Sequence, residues 1–148
     1  RFLMHIHLGY PAPDDEYRII RNQPARTTLR ELKPVMSAEE IIDLQKRSDE
    51  VTMDQSLVDY VISLSSATRS NDDLQVGISP RGALALAQAA RATAVMNDRA
   101  YCVPEDIVSN VLPVCAHRVI PKTYMHAGDT ATTRRIVQQV LETIPSPA

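Results

Sequence analysis

The stretch from Val76 to Asp106, VGISPRGALALAQAARATAVMNDRAYCVPED, constrains the fold of this chain more than any other. Ser79-Pro80 marks a helix start: serine supplies an N-cap acceptor, and proline at the first helical position lacks an N–H that would go unpaired there anyway. Behind it Ala83, Leu86, Ala87, Ala90 and Ala94 recur at three- and four-residue steps and share one helix face. A face of small side chains is well buried only when a second helix comes close. Composition points the same way, since aromatics are 4% of the chain and tryptophan is absent. A core built from Leu, Ile, Val and Ala favours packed helices over a β-sandwich. Arg81 is the odd residue, because a cation in the first helical turn opposes the partial positive charge there. Two readings stand for it: a surface arginine that tolerates the dipole, or, with free backbone N–H groups, a receptor for an anion such as phosphate.

At 148 residues the chain fits one domain with a substantial core, or one domain plus part of another. A net charge of −2, from 16 basic and 18 acidic residues, provides no basic excess to attract nucleic acid or an anionic membrane. No apolar run approaches the roughly 18 residues needed to cross a bilayer, and no signal peptide is read. A soluble, cytoplasmic protein is the expectation. Cys102 and Cys115 have no ligand-spaced histidines beside them, so no metal site is expected and both read as small buried hydrophobes.

Along the chain, residues 1–8 alternate, with Phe2, Met4, Ile6 and Leu8 on one side and Leu3, His5 and His7 on the other. That period predicts a strand belonging to a sheet that is otherwise missing. His5 and His7 share a face without a third ligand in view. Gly9-Tyr10-Pro11-Ala12-Pro13 is a stiff connector, and Asp14, Asp15 and Glu16 suit the start of a short helix ending near Asn22. Residues 24–36 read as a further connector. Ser37 and Glu40 form a capping box for a helix carrying Ile41, Ile42 and Leu44. Asp54 caps residues 55–69, with Leu57, Val58, Val61, Ile62 and Leu64 expected inside. A short extended piece leads into Gly77.

After the alanine-rich helix, Val103-Pro104-Glu105-Asp106 opens another, with Ile107, Val108, Val111 and Leu112 inside and a kink expected at Pro113. Pro121 to Asp129 reads as a loop. Thr130 or Thr132 starts a last helix with Ile136, Val137, Val140 and Leu141, ended by Pro145. One strand followed by about six helices is the expected order.

A search for catalytic chemistry finds little. There is no GxxxxGK[ST] loop and no GxGxxG after a strand. Serine, histidine and acidic residues are too scattered for a triad. Asp14–Glu16 and Glu105-Asp106 are explained as helix-start charge.

The series RFLMHIHLGYP, LKPVMSAEEIIDLQK, VDYVISLSSATR, GISPRGALALAQAARATAVMNDRAYCVPEDI, VLPVCAHRV and VLETIPSP resembles the MoxR-type AAA+ ATPases along essentially the whole chain. The resemblance implies a mainly α fold: an AAA+ lid-type helical bundle preceded by one short β-strand left over from the α/β nucleotide-binding core. It divides the chain into residues 1–12, the final core strand and hinge, and 13–148, the helical lid. The Walker A loop, Walker B carboxylates and sensor-1 residue would lie upstream of this fragment, which alone should be inactive. Arg81 then occupies the position of the sensor-2 arginine, which reaches from lid to γ-phosphate. Arg1 falls on an arginine-finger position, without the aspartate that precedes it in the family. Tyr10 and Pro11 look like the hinge beside the adenine. Val103 stands where a capping threonine is usual.

In full length the resemblance implies ATP and Mg2+ as cofactors, with neither held tightly by this fragment. It also implies a homo-oligomeric ring, a hexamer, and chaperone work on protein complexes or metalloenzymes alongside a von Willebrand factor A domain partner. Two other classes compete: a non-enzymatic helical interaction module, and a helical DNA-binding domain, against which the balanced charge argues.

Overall fold

A computed structural model of the chain describes residues 2–22, 32–122 and 130–147. Arg1 and most of the connector expected over residues 24–36 lie outside the described residues, as do residues 123–129 of the expected loop. The elements, in order, are α1 (Pro13–Asn22), α2 (Ala38–Glu50), α3 (Gln55–Arg69), β1 (Leu74–Val76), α4 (Pro80–Met96), α5 (Pro104–Cys115), β2 (Ile120–Pro121) and α6 (Thr130–Thr143). The mainly helical class read from the sequence is the class observed.

The helix starts follow from local chemistry. Ser37 Oγ accepts from the Glu40 N–H at 3.2 Å while Glu40 Oε2 accepts from the Ser37 N–H at 2.7 Å, the reciprocal pair of a capping box. Asp54 Oδ1 accepts from the Ser56 N–H at 2.9 Å and opens α3. In α3 the buried stripe is Leu57, Tyr60, Val61, Leu64, Ser65 and Thr68. Ile62, expected inside, is exposed, because it lies about 100° round the helix from Val61. In α4 the inward residues are Gly82, Ala85, Leu86, Ala89, Ala90, Ala94 and Val95, and this helix packs most extensively on α5. Small side chains at Ala90 and Ala94, both fully buried, are what let the two helices approach. Along α5, Ile107 and Val111 are buried and Val108 is exposed; Asp106 and Asn110 take inward positions that a reading by hydrophobicity leaves empty. Asn110 Nδ2 donates to Thr93 Oγ1 at 2.7 Å and to the Asp106 carbonyl at 2.8 Å, which satisfies its buried amide across the α4–α5 contact.

One further expectation needs correction. The described residues 2–8 join no strand ladder. A strand exists only with a partner, and the one sheet among the described residues is β1 paired antiparallel with β2. Residues 2–5 instead lie against the end of α5: the His5 N–H donates to the Pro113 carbonyl at 2.8 Å, and Arg118 Nη2 donates to the Phe2 carbonyl at 2.8 Å. In α2 no residue is buried, and Ile41 and Ile42 stay half exposed. β2 had no sequence signal of its own. It staples the α3–α4 connection to the segment after α5, extended by the Lys122 N–H donating to the Asp73 carbonyl at 2.8 Å.

The buried core runs from Val51 to Val140, with contributions from α3, α4, α5 and α6. Cys102 and Cys115 are free thiols within it. Burial pushes the Cys115 thiol up to about 12, so it stays protonated and unreactive at neutral pH. No helix among the described residues is long and apolar enough to cross a membrane.

Candidate functional site

The start of α4 carries the residue that the sequence singles out. Ser79 adopts an extended conformation (φ −73°, ψ 162°), and its Oγ accepts from the Gly82 N–H at 3.2 Å. Pro80 has no N–H to offer. Of the first three helical positions only the Arg81 N–H is left over from the cap. Where several free backbone N–H groups were expected, one is left beside the Arg81 guanidinium. Arg81 is exposed and makes no hydrogen bond or ion pair among the described residues. The first turn of α4 contains no acidic residue.

This helix start is held from behind by the end of α3. The Ile78 N–H donates to Thr68 Oγ1 at 2.9 Å, and Arg69 Nε donates to the Ile78 carbonyl at 2.7 Å. Thr68 and Ile78 are both fully buried. Gly77 sits so close to α3 that a Cβ there would fall 2.6 Å from the Arg69 backbone nitrogen and 2.7 Å from the Thr68 carbonyl carbon. Only glycine fits that approach. On the other side, a Cβ at Gly82 would lie 3.4 Å from Arg118 Cδ, so a third arginine stem runs beside the same turn. Arg69 and Arg118 both donate to backbone carbonyls near this turn, Arg69 Nε to that of Ile78 and Arg118 Nε to that of Val114.

The remaining sequence candidates separate from Arg81. Tyr10 and Pro11 are exposed beyond Gly9, whose φ of 71° places the connector in the left-handed region. No hydrogen bond or ring contact joins them to Arg81 among the described residues. Arg1 is outside the described residues. The structure does bring a third histidine toward His5 and His7. The His5 and His7 rings are 4.9 Å apart, and His117 stands 6.3 Å from His5. Among the described residues no group of three or more His, Cys, Asp and Glu is arranged to hold a metal ion.

A second polar centre was missed as such in the sequence. Asp106, 2% exposed, receives Arg99 Nη1 at 2.7 Å on Oδ2 and Nη2 at 2.6 Å on Oδ1, a two-pronged pair. Its Oδ2 also accepts from the Val103 N–H at 2.9 Å. Valine has no acceptor to return, so α5 begins with half of a capping box. Burial alone would raise the Asp106 pKa, but the Arg99 hydrogen bonds, the Val103 N–H and the Arg99 charge outweigh it and hold the carboxyl below the usual range. Arg99 Nη1 further donates to the Tyr101 carbonyl at 2.9 Å, so the pair locks the α4–α5 turn. The spacing of Asp106 three residues after Val103 was the available signal.

Residues 66–140, which span the end of α3 through most of α6, match the AAA lid domain family. The chain is 31% identical to the chaperone MoxR1 of Mycobacterium tuberculosis over 156 aligned positions, covering 99% of this chain and 41% of that protein. It is 36% identical over 107 residues to the YeaC protein of Bacillus subtilis, covering 72% of this chain and 33% of that one. A crystal structure described as a "putative ATPase" from Cytophaga hutchinsonii superposes with a TM-score of 0.80 at 27% identity, over all of this chain and 47% of that one. The chain thus spans less than half the length of each of these relatives. With the lid match covering the helices that build the core, this chain belongs to the AAA lid domain family, and along its sequence it is similar to the chaperone MoxR1.

Proposed function

We propose that this chain is the nucleotide-sensing lid portion of an ATPase that, in full length, binds and hydrolyses ATP with Mg2+. The observation that carries the reading is Arg81: an exposed guanidinium without a partner among the described residues, on a helix start with no acid in its first turn. A helix N-terminus and an arginine both favour an anion, and a terminal phosphate supplies one. The exposed side chain fits such a group. ATP would bring the phosphoryl group and Mg2+ would offset its charge. The chain's own part is to position Arg81 and present it when the lid closes.

In this reading residues 1–12 close the nucleotide-binding core, and 13–148 form the lid. Tyr10 and Pro11, just after the turn at Gly9, serve as the hinge beside the adenine. Residues 2–8, unpaired here, complete a sheet whose other strands precede them. Arg1 acts on the nucleotide of a neighbouring subunit in a homo-oligomeric ring of six. One relative is named a chaperone, which supports chaperone work here. As the family resemblance implies, that work is maturation of protein complexes or metalloenzymes in the cytoplasm, with a von Willebrand factor A domain partner and neither nucleic acid nor membrane. A protein-interaction role for the lid draws on one observation, the half-exposed Ile41 and Ile42 on α2. Capture of a partner that is indifferent to nucleotide would favour it.

The test is turnover in the full-length protein. Arg81→Ala is expected to lower the ATP hydrolysis rate by about a hundredfold, the scale of removing one donor from developing charge, while leaving the fold intact. The isolated residues 1–148 are expected to show no turnover. Wild-type hydrolysis by Arg81→Ala would overturn the assignment.

A further inference from the structure

The residues that hold Arg81 in place lie outside its own helix. Ile78, one residue before the α4 cap, has both backbone polar groups taken by consecutive residues at the end of α3: its N–H by Thr68 Oγ1 at 2.9 Å, its carbonyl by Arg69 Nε at 2.7 Å. The clamp is buried, since Thr68 and Ile78 are both 0% exposed, and Thr68 Oγ1 in turn donates to the Ser65 carbonyl at 2.7 Å. Each group therefore has a defined role: the threonine hydroxyl is donor to its own helix and acceptor for the next. The Gly77 contact with the backbones of Thr68 and Arg69 removes the remaining freedom of the joint. The chain between the clamp and Arg81 is Ser79-Pro80, an N-cap followed by a residue with a fixed φ. A rigid path therefore runs from the end of α3 to the Arg81 Cα, with only Ser79 and Pro80 between Ile78 and Arg81.

We infer that Thr68 and Arg69 are positioning residues for Arg81. They hold the α4 start at the geometry from which the guanidinium distinguishes a terminal phosphate from its absence. The inference rests on the nucleotide-sensing reading of Arg81. Thr68 and Arg69 do not themselves touch the nucleotide in this role.

The experiment measures affinity for ADP and for the slowly hydrolysed analogue ATPγS in the full-length protein, for wild type, Thr68→Val, Thr68→Ser, Arg69→Met and Arg81→Ala. Valine keeps the shape of threonine and removes the acceptor; serine keeps the hydroxyl; methionine keeps the arginine stem and removes the donor. Thr68→Val and Arg69→Met are expected to lower the preference for ATPγS over ADP by about three- to thirtyfold, the range typical of residues that act on a site through others. Thr68→Ser is expected to restore it. Adding Thr68→Val to Arg81→Ala should cause no further loss of preference, because the clamp acts only through that side chain. Hydrogen exchange at the Ile78 amide, measured without nucleotide, should speed up in Thr68→Val while the α4–α5 core amides keep their protection. That second readout separates a loosened joint from an unfolded protein.

Full preference retained by a folded Thr68→Val, or a further loss on top of Arg81→Ala, would overturn the positioning role alone. Full preference retained by Arg81→Ala would overturn the sensing reading on which it rests.

Discussion

Replacing Asp106 by alanine is expected to destabilise the lid by about 3 kcal/mol, the cost of removing one partner from a buried ion pair. The carboxylate is almost wholly buried and serves three donors at once: two Arg99 Nη groups and the Val103 N–H. Alanine leaves the first turn of α5 without its cap and unlocks the turn that joins the two most closely packed helices. The same carboxyl sets a pH dependence. Its folded pKa lies below the usual aspartate value of about 3.9, so its stabilisation is complete above that value. As pH falls below it, toward the folded pKa, the unfolded chain takes up a proton that the folded protein refuses, and stability declines. Urea titrations from pH 7 to pH 3 should show the wild type losing stability in the acid range. Asp106→Asn should start lower and lack this component of the decline. Equal slopes would mean that the pair contributes nothing that protonation can remove.

Gly77→Ala is the second large effect. An added Cβ would meet three backbone atoms of Thr68 and Arg69 at 2.6–2.7 Å, closer than such contacts are tolerated, and backbone cannot swing aside as a long side chain can. The end of α3 and the approach to α4 must separate. Overpacking of this kind costs about 3 kcal/mol and here also breaks the two hydrogen bonds on Ile78. Thermal melting should fall by several degrees for each kcal/mol lost, about 3 °C in a chain of this size. In contrast, alanine at Gly9 meets no atom within 4 Å, and its cost is confined to the left-handed backbone of an exposed turn. A melting point unchanged by Gly77→Ala would show that the joint is looser than the geometry states.

Much of the architecture could be read from residue order because its signals are local. Ser37 with Glu40, Asp54, and Ser79-Pro80 each supply or spare hydrogen-bonding groups within one turn, and each marks a helix start in the structure. Alanine spacing in α4 likewise foretold a close helix neighbour. What depended on the path of the chain was harder to see. Residues 2–8 alternate like a strand, yet alternation states a period and cannot supply a partner. Ile41, Ile42 and Ile62 are as hydrophobic as their buried neighbours but sit on faces that nothing among the described residues covers. Asp106 was read as helix-start charge, which is true of its position and omits Arg99, seven residues earlier. The clamp on Ile78 spans ten residues, and no spacing rule connects a threonine near the end of one helix to the backbone before the next. Arg81 itself was legible as an anomaly. The structure adds the anchored helix start behind it.

The binding of ADP and ATPγS to full-length wild type and Arg81→Ala, measured by calorimetry, tests most directly whether Arg81 reads the terminal phosphate. A charge-assisted hydrogen bond is worth roughly 1.5–3 kcal/mol, so ATPγS affinity should fall by about ten- to a hundredfold while ADP affinity is unchanged. An equal fall for both nucleotides, or no fall for ATPγS, would contradict it.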